Sequence, residues 1–302
     1  MHYTLGKEAW VKQGEHIMSA TISIEDILDE VITLPSLPDT VIQITNLIND
    51  PDASMNDIGK AISGDPSIAL KSLRVVNSAY FALPTKVTSV EHAISLLGMK
   101  VIKNIVFTAS VFDTLQGGEE MLIKHNVACG VAMKLLVDSE YVDSSGFKHP
   151  DEAFIYGLLH DVGKLIFGEF MADKMAKVVD LCSTNPLTWY QAEKEIIGID
   201  HAELGAKLAQ QWQLSPELID AIRGHHDLKK CENPDHRFTA ALMGLADFIC
   251  YQSGYPAHTN ATPALDEDIW SETGISPDAI EGFVTAMHDS KDSINELANM
   301  AS

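Results

Sequence analysis

The second half of the chain carries histidine and aspartate residues in apolar surroundings, where such side chains are uncommon. His160 and Asp161 follow Leu158-Leu159 and precede Val162, and Asp247 also lies inside an apolar run. A lone carboxylate in such a position is costly unless a cation or hydrogen-bond donors surround it. The residues of this kind, which we predict to converge as metal ligands, are His125, His160, Asp161, His201, His225, His226 and Asp247.

The types of these side chains indicate which metals they suit. Neutral imidazole and carboxylate together favour Fe, Mn or Zn, and ligands on facing helices of a bundle are an established arrangement for dinuclear sites. We therefore expect one or two divalent ions. The alternative is that the histidines are core residues bonded to carbonyls, and that Asp247 caps a helix or pairs with an arginine. In that case the chain is a helical scaffold without a metal.

The overall charge limits the class of partner. Among 302 residues there are 21 Lys and Arg against 43 Asp and Glu, a net charge of −22. This excess of acid argues against direct binding of nucleic acid or of anionic lipid, both of which need clustered basic residues. A protein of this charge that handles a phosphoester needs a local positive charge, and a bound metal would supply it.

Other features of the composition predict a cytoplasmic protein. The four cysteines are scattered without a C-x-x-C pair, which is typical of free thiols in a reducing compartment. No apolar run reaches the ~18 residues that a membrane-spanning helix needs, and the polar start lacks the apolar stretch of a secretory signal. Translation could begin at Met1 or at Met18, and the sequence leaves both open.

Helical periodicity dominates from residue 24 onward, so the predicted fold class is all-α. We expect two lobes divided near Gly117-Gly118: an N-terminal extension (1–21), an N-terminal helical lobe (22–117) and a C-terminal helical lobe (118–302). Continuous helices are predicted over residues 150–170, which include His160 and Asp161, and over residues 277–298. Gly98 is predicted to end a helix that begins at Val90.

The segment LLHDVGK (158–164) resembles the HD superfamily of metal-dependent phosphohydrolases. The wider sequence is similar to the HDOD family, bacterial signalling modules related to those enzymes, over roughly residues 22–250. The main matching segments are LPSLP (34–38), GDPS (64–67), NSAY (77–80), AISLLG (93–98) and HAELGA (201–206).

The resemblance implies an all-helical fold and a set of ligands. The HD pattern of one His, a His-Asp pair and a later Asp corresponds to His125, His160-Asp161 and Asp247. In the branch that hydrolyses cyclic dinucleotides, extra ligands fall where this chain has His201 and His225-His226. That branch also has a Gly-Tyr-Pro signature after its second His pair, but residues 227–234 here are DLKKCENP. It tends to have a Glu where Met121 stands, so both departures count against cyclic-di-GMP hydrolysis.

The resemblance also suggests catalytic roles. Asp161 would bridge two ions, and Lys164 would contact a phosphate oxygen as a point charge, unless it is an ordinary surface lysine. The resemblance leaves two functions open. One is a metal-dependent phosphohydrolase that acts on a nucleotide or a similar phosphoester. The other is a catalytically silent regulatory module with a structural or sensory metal site, which acts through its N-terminal lobe on a protein partner.

Overall fold

The computed structural model describes residues 39–50, 52–78, 81, 83–114, 120–142, 147, 150–258 and 265–301. These residues form α-helices and short 3₁₀ turns and include no strand, so the predicted all-α class is confirmed. The predicted boundary at Gly117-Gly118 lies outside the described residues, and the division into lobes stays a prediction. Among the described residues, no helix is long and apolar enough to cross a membrane.

The N-terminal helices pack around a small set of buried isoleucine and valine side chains. Ser54 and Asp65 begin two of these helices by accepting hydrogen bonds from backbone N–H groups one turn ahead, as expected of N-cap residues. Gly98 has a φ of +82° and interrupts the fourth helix, so the predicted break at this glycine is confirmed. The helices are α1 (Asp39–Asn49), α2 (Met55–Ser63), α3 (Pro66–Val76) and α4 (Val90–Thr114).

The helices that follow α4 surround the predicted ligands. α5 packs most extensively against α6, and it also contacts α12. α10 packs against both α7 and α11. The elements are α5 (Glu120–Val137), α6 (Ala153–Leu159), α7 (Val162–Phe170), α8 (Ala172–Thr184), α9 (Trp189–Ile196), α10 (His201–Gln211), α11 (Pro216–Gly224) and α12 (Arg237–Gln252).

Three further helices complete the described chain, and they correct one prediction. A single helix over residues 277–298 is wrong: a 3₁₀ turn precedes α14, and Ser290 separates α14 from α15. α13 and α14 pack against α12, whereas α15 contacts α3, α4 and α5 and so joins the two ends of the core. These helices are α13 (Asp268–Thr273), α14 (Ile280–Asp289) and α15 (Lys291–Ala301).

The prediction of one helix over residues 150–170 is also wrong. The segment begins with a 3₁₀ turn, and the helical chain then breaks between α6 and α7 at His160 and Asp161. Asp161 has φ −102° and ψ 17°, outside the α-helical region. Consecutive side chains on a continuous helix point about 100° apart, so the break is what allows these two neighbours to face one point.

Two glycines on either side of this break bring neighbouring helices close to it. A Cβ atom at Gly157 would lie 2.2 Å from the carbonyl oxygen of Cys129 on α5. A Cβ atom at Gly163 would lie 2.1 Å from the carbonyl oxygen of His201 on α10. Because no side chain fits at either position, the glycines set how closely α6 and α7 approach the helices that carry other predicted ligands.

Candidate metal centre

All seven predicted ligands come together, although they start from five separate places in the chain. His125 lies in the second turn of α5, and His160 and Asp161 form the break between α6 and α7. His201 is the first residue of α10, where Asp200 caps the helix by accepting from the N–H of Glu203. The remaining ligands are His225 and His226, which directly follow α11, and Asp247 in the middle of α12.

The first set of ligand atoms surrounds one carboxylate oxygen of Asp161. Asp161 Oδ2 lies 3.5 Å from His125 Nε2 and 3.3 Å from His160 Nε2. Asp247 Oδ1 approaches the same two nitrogens, at 3.2 Å from His125 and 3.8 Å from His160. We call these four residues the first ligand set.

The second set surrounds the other oxygen of the same carboxylate. Asp161 Oδ1 lies 3.1 Å from His201 Nε2 and 3.8 Å from His225 Nε2. His226 Nε2 is 3.0 Å from His201 Nε2. One ligand atom from each of these four residues lies within 4.8 Å of all the others, a spacing that one metal ion can span. We call these residues the second ligand set.

Hydrogen bonds orient the histidine rings. In four of the five rings, Nδ1 is bonded to an oxygen outside the cluster, which leaves Nε2 facing inward with its lone pair. The partners of Nδ1 are the Tyr255 carbonyl for His125 (2.7 Å), the Gly157 carbonyl for His160 (2.7 Å), Glu193 Oε2 for His201 (2.5 Å) and the Ile222 carbonyl for His225 (2.6 Å).

This arrangement fits metal ions better than it fits internal hydrogen bonding. His125 Nε2 and His160 Nε2 are 3.2 Å apart, and with both Nδ1 atoms protonated the two facing nitrogens are acceptors that need a shared cation. Asp161 Oδ1, Asp247 Oδ1 and His225 Nε2 are buried and have no hydrogen-bond partner among the described residues. Buried polar atoms normally have such partners, so atoms that converge without them suit divalent ions.

The two carboxylates stabilise positive charge at the first ligand set. Burial on its own would lower the pKa of His125, but the nearby carboxylates of Asp161 and Asp247 more than offset burial and raise this pKa to about 10. Burial also opposes a charge on His160, and the charge of Asp161 raises the pKa of His160 to about 10. A metal ion would compete with protons for these nitrogens, so metal binding here would release protons.

The second ligand set combines histidines of opposite tendency. Burial opposes a charge on His201, but the neighbouring Glu193 carboxylate raises its pKa to about 9. Burial, reinforced by the charges of His160 and His201, lowers the pKa of His225 to about 3. His225 is therefore neutral at physiological pH, and its Nε2 lone pair is available to a metal without loss of a proton.

Lys164 is buried and is not the surface residue that the sequence left open. Its Nζ donates to Asp161 Oδ2 at 2.5 Å. Burial opposes its charge, yet the carboxylate of Asp161 holds the pKa of this ammonium above its usual value. The negative charge of Asp161 is therefore paired with a fixed positive charge on one side.

Arg223, by contrast, pairs with Asp220 (2.7 Å) and Glu232 (2.8 Å) on the outer side of α11.

The sequence interpretation missed several residues that hold the ligands in place. Glu193 accepts from both the backbone N–H (2.8 Å) and Nδ1 (2.5 Å) of His201. Tyr190 stacks on His226, with ring centroids 5.0 Å apart, and Trp189 stacks on His258. No local motif marks these residues, and only the position of Glu193 on the apolar side of α9 hints at a buried carboxylate.

The fold and the cluster define an all-helical protein with a buried, two-part histidine and aspartate site. A family model, the HDOD domain, matches residues 34–228, which is more than half of the chain. The chain therefore belongs to the HDOD family, and the resemblance found in its sequence is confirmed.

Two comparisons support the same fold. An HDOD domain protein of unknown function from Geobacter sulfurreducens superposes with a TM-score of 0.74 at 23% identity, over 92% of this chain and 97% of that one. A protein named "Putative phosphohydrolase" from Shewanella amazonensis gives a TM-score of 0.69 at 22% identity, over 94% of this chain and 99% of that one.

An uncharacterised protein of Treponema pallidum is 26% identical in sequence over 67% of this chain, and the match spans only 39% of that relative.

Proposed function

We propose that this HDOD protein binds two divalent metal ions, drawn from Fe, Mn and Zn, and hydrolyses a phosphoester such as a nucleotide. The observation that carries the proposal is the position of Asp161, whose two oxygens face two different groups of histidines. A carboxylate with this geometry can bridge two ions, the arrangement used for in-line displacement at phosphorus.

In this proposal each ligand set holds one ion. The first ion would be held by His125, His160, Asp161 and Asp247. The second would be held by Asp161, His201, His225 and His226. When bound, such ions polarise a phosphoryl group and make a water molecule nucleophilic at neutral pH.

The chain's own residues contribute orientation and charge. The Nδ1 hydrogen bonds hold four imidazoles with Nε2 inward, so the ligand nitrogens need little rearrangement to bind. Lys164 keeps Asp161 ionised and, in our proposal, shares its ammonium with a phosphate oxygen of the substrate. The catalytic residues we assign are Asp161 and Lys164.

A regulatory role without turnover is the second candidate, and it is favoured by where the ligands lie. All seven come from α5–α12, which leaves α1–α4 free of the chemistry and available for a protein partner. A solved structure from Marinobacter aquaeolei, named "Putative signal transduction protein", also shares the fold, with a TM-score of 0.73 at 22% identity over 91% of this chain and 61% of that one. In this role the metal site would be structural or sensory.

Elemental analysis of the purified protein tests the metal site first. We expect about two equivalents of Fe, Mn or Zn in the wild type and none in Asp161→Ala, because that substitution removes a ligand from both sets. Asp173→Ala, an exposed aspartate on α8, is the matched control and should keep the metal.

Turnover then separates the two functions. We expect the metal-loaded wild type to hydrolyse a nucleotide or an aryl phosphoester, and Asp161→Ala to be inactive. If the fully metal-loaded wild type hydrolyses no phosphomonoester or phosphodiester, the proposed hydrolysis is contradicted and the regulatory role is the one that remains. A wild type that takes up no metal after reconstitution would contradict both proposals.

A further inference from the structure

Trp189 and His258 form a stacked aromatic pair that the mechanism above does not use. Their ring centroids are 3.7 Å apart and their planes differ by 8°. Trp189 is the first residue of α9, and His258 belongs to the segment that follows α12. Trp189 is buried and His258 is partly buried, so the pair is fixed within the folded chain and is not a surface feature.

His258 is connected to the first ligand set. Three residues before it, the carbonyl of Tyr255 accepts the hydrogen bond from Nδ1 of His125. Burial and then the positive charge of Lys164 lower the pKa of His258 to about 3, with Asp161 acting in the opposite direction. The charges that His258 experiences are thus those of the metal centre, and its ring is neutral at physiological pH.

Trp189 is connected to the second ligand set. Its neighbour Tyr190 lies nearly parallel to the ring of His226, at an interplanar angle of 15°. One turn further along α9, Glu193 holds His201 through two hydrogen bonds. The stacked pair therefore joins two segments, one that supports the first ligand set and one that supports the second.

Both rings of the pair present a polar atom without a partner. Trp189 Nε1 and His258 Nε2 are buried, and neither has a hydrogen bond to any residue in the described part of the chain. An indole N–H can only donate, and a neutral imidazole with its proton on Nε2 also donates there. Buried donors normally have a hydrogen-bond partner, so a ligand rich in acceptors is the natural complement.

We propose that Trp189 and His258 form an oxyanion subsite that binds non-bridging oxygens of the phosphoester next to the metal ions. The proposal rests on the proposed function, and it assigns substrate binding to two residues outside the ligand sets. Phosphate oxygens accept hydrogen bonds and cannot donate them when ionised, which matches two N–H donors. Neutral donors also suit a centre whose positive charge is already supplied by the metal ions and Lys164.

Titration calorimetry with inorganic phosphate on the metal-loaded full chain tests the subsite. Trp189→Phe and His258→Phe each keep a ring for stacking and remove one N–H group. We expect each variant to bind phosphate about tenfold more weakly than the wild type, the loss of one charge-assisted hydrogen bond. Metal content, measured on the same samples, should equal that of the wild type.

An NMR titration gives a second readout that does not depend on turnover. The indole N–H signal of Trp189, assigned by its absence in Trp189→Phe, should shift downfield when phosphate is added. Trp270→Phe on α13 and His288→Phe on α14 are matched controls and should bind phosphate as the wild type does.

The outcomes separate the subsite from the proposed function. Unchanged phosphate affinity in both variants, at normal metal content, would overturn the subsite and leave the metal centre standing. Parallel loss of metal and phosphate would also overturn it, because the pair would then only support the ligands. A wild type that takes up neither metal nor phosphate would overturn both.

Discussion

At the scale of single residues, Asp161 is the side chain on which the whole site depends. Its two oxygens contact different histidines, and Lys164 donates a hydrogen bond to one of these oxygens, Oδ2. The carboxylate is fully buried, yet these partners hold its pKa well below the usual value of an aspartate. Its ionised form is therefore maintained without solvent, which is what a bridging ligand requires.

Glu193 is the supporting residue whose role can be isolated best. Glu193→Gln removes the carboxylate that accepts from Nδ1 of His201, and an amide oxygen is a weaker acceptor. We expect the affinity of the second ligand set for metal to fall by about 10–100-fold, with the first set little affected. Competition with a fluorescent chelator would measure the two affinities.

Glu195→Gln is the control for that experiment, since Glu195 lies on the same helix and is exposed. It should bind both metals as the wild type does. Equal affinities in Glu193→Gln and Glu195→Gln would show that the hydrogen bond to His201 does not influence metal binding.

At the scale of elements, the site depends on the contact between α7 and α10. Gly163 brings the start of α7 against the carbonyl of His201, the first residue of α10. The same contact sets the separation between Asp161 and His201, which lie at the adjacent helix ends. A change in helix spacing here acts directly on the distance between two ligands.

Gly163→Ala tests that contact. The added Cβ would lie 2.1 Å from the backbone oxygen of His201, so the two helices must separate. We expect the free energy of unfolding to fall by about 1–3 kcal/mol, and metal content to fall with it. Gly168→Ala lies on the same helix with no atom within 4 Å of the new Cβ, and it should be neutral or slightly stabilising. Chemical denaturation of both variants makes the comparison, and equal stabilities would contradict it.

Asp220 on α11 is held by hydrogen bonds from the loop that follows this helix, and these bonds make the free energy of unfolding depend on pH. Burial raises the pKa of this carboxylate, but the backbone N–H of Asn233 and the side chain of His236 lower it further than burial raises it. A folded-state pKa below the ordinary value of about 3.9 means that the stabilisation is complete above pH ~4 and is lost as the pH falls through the folded pKa.

Asp220→Asn should therefore destabilise the protein near neutral pH and matter less in acid. Asp220 accepts from Arg223 (2.7 Å), Glu232 N–H (3.2 Å) and Asn233 N–H (3.0 Å). We expect a loss of on the order of 2–3 kcal/mol at pH 7 that narrows below pH ~4. Thermal denaturation across pH would show it. A deficit that is the same at pH 7 and pH 3.5 would contradict the assignment.

At the scale of the whole molecule, one hydrophobic core runs from α1 to α15. Ile44 on α1, Tyr156 on α6 and Ile294 on α15 belong to the same buried cluster. The proposed metal centre lies within that core, because the predicted ligands are buried and the helices α5, α10 and α12 pack together or through shared neighbours. Metal binding should therefore stabilise the folded chain globally.

Removal of metal by a chelator measures this coupling. At metal concentrations 100-fold above Kd, binding to the native state adds about 2.7 kcal/mol of stability. With an unfolding entropy of about 2.1 cal/mol/K per residue, this corresponds in a chain of 302 residues to a fall of roughly 4 °C in Tm for each ion removed, with helical content unchanged because the core remains. Asp161→Ala should be insensitive to the chelator. A wild-type Tm that does not respond would mean that the ions do not bind the native state preferentially.

The all-α class and the candidate ligands were predictable from the amino-acid sequence. Apolar spacing predicted helices, Gly98 predicted a helix end, and the order of histidines and aspartates indicated the family. These features are local, because caps and periodicity depend on residues within a few positions of each other.

The way in which these residues meet depends on tertiary packing. The break at His160-Asp161, the burial of Lys164, the hydrogen bonds of Glu193 and the Trp189–His258 stack all depend on contacts between distant segments. Helix spacing is set by close approaches such as the one at Gly163, and local sequence patterns do not specify them. A ligand set is a property of packed helices. The candidate ligands could be predicted from the sequence, but the packing of the helices determines which oxygen of Asp161 each histidine faces.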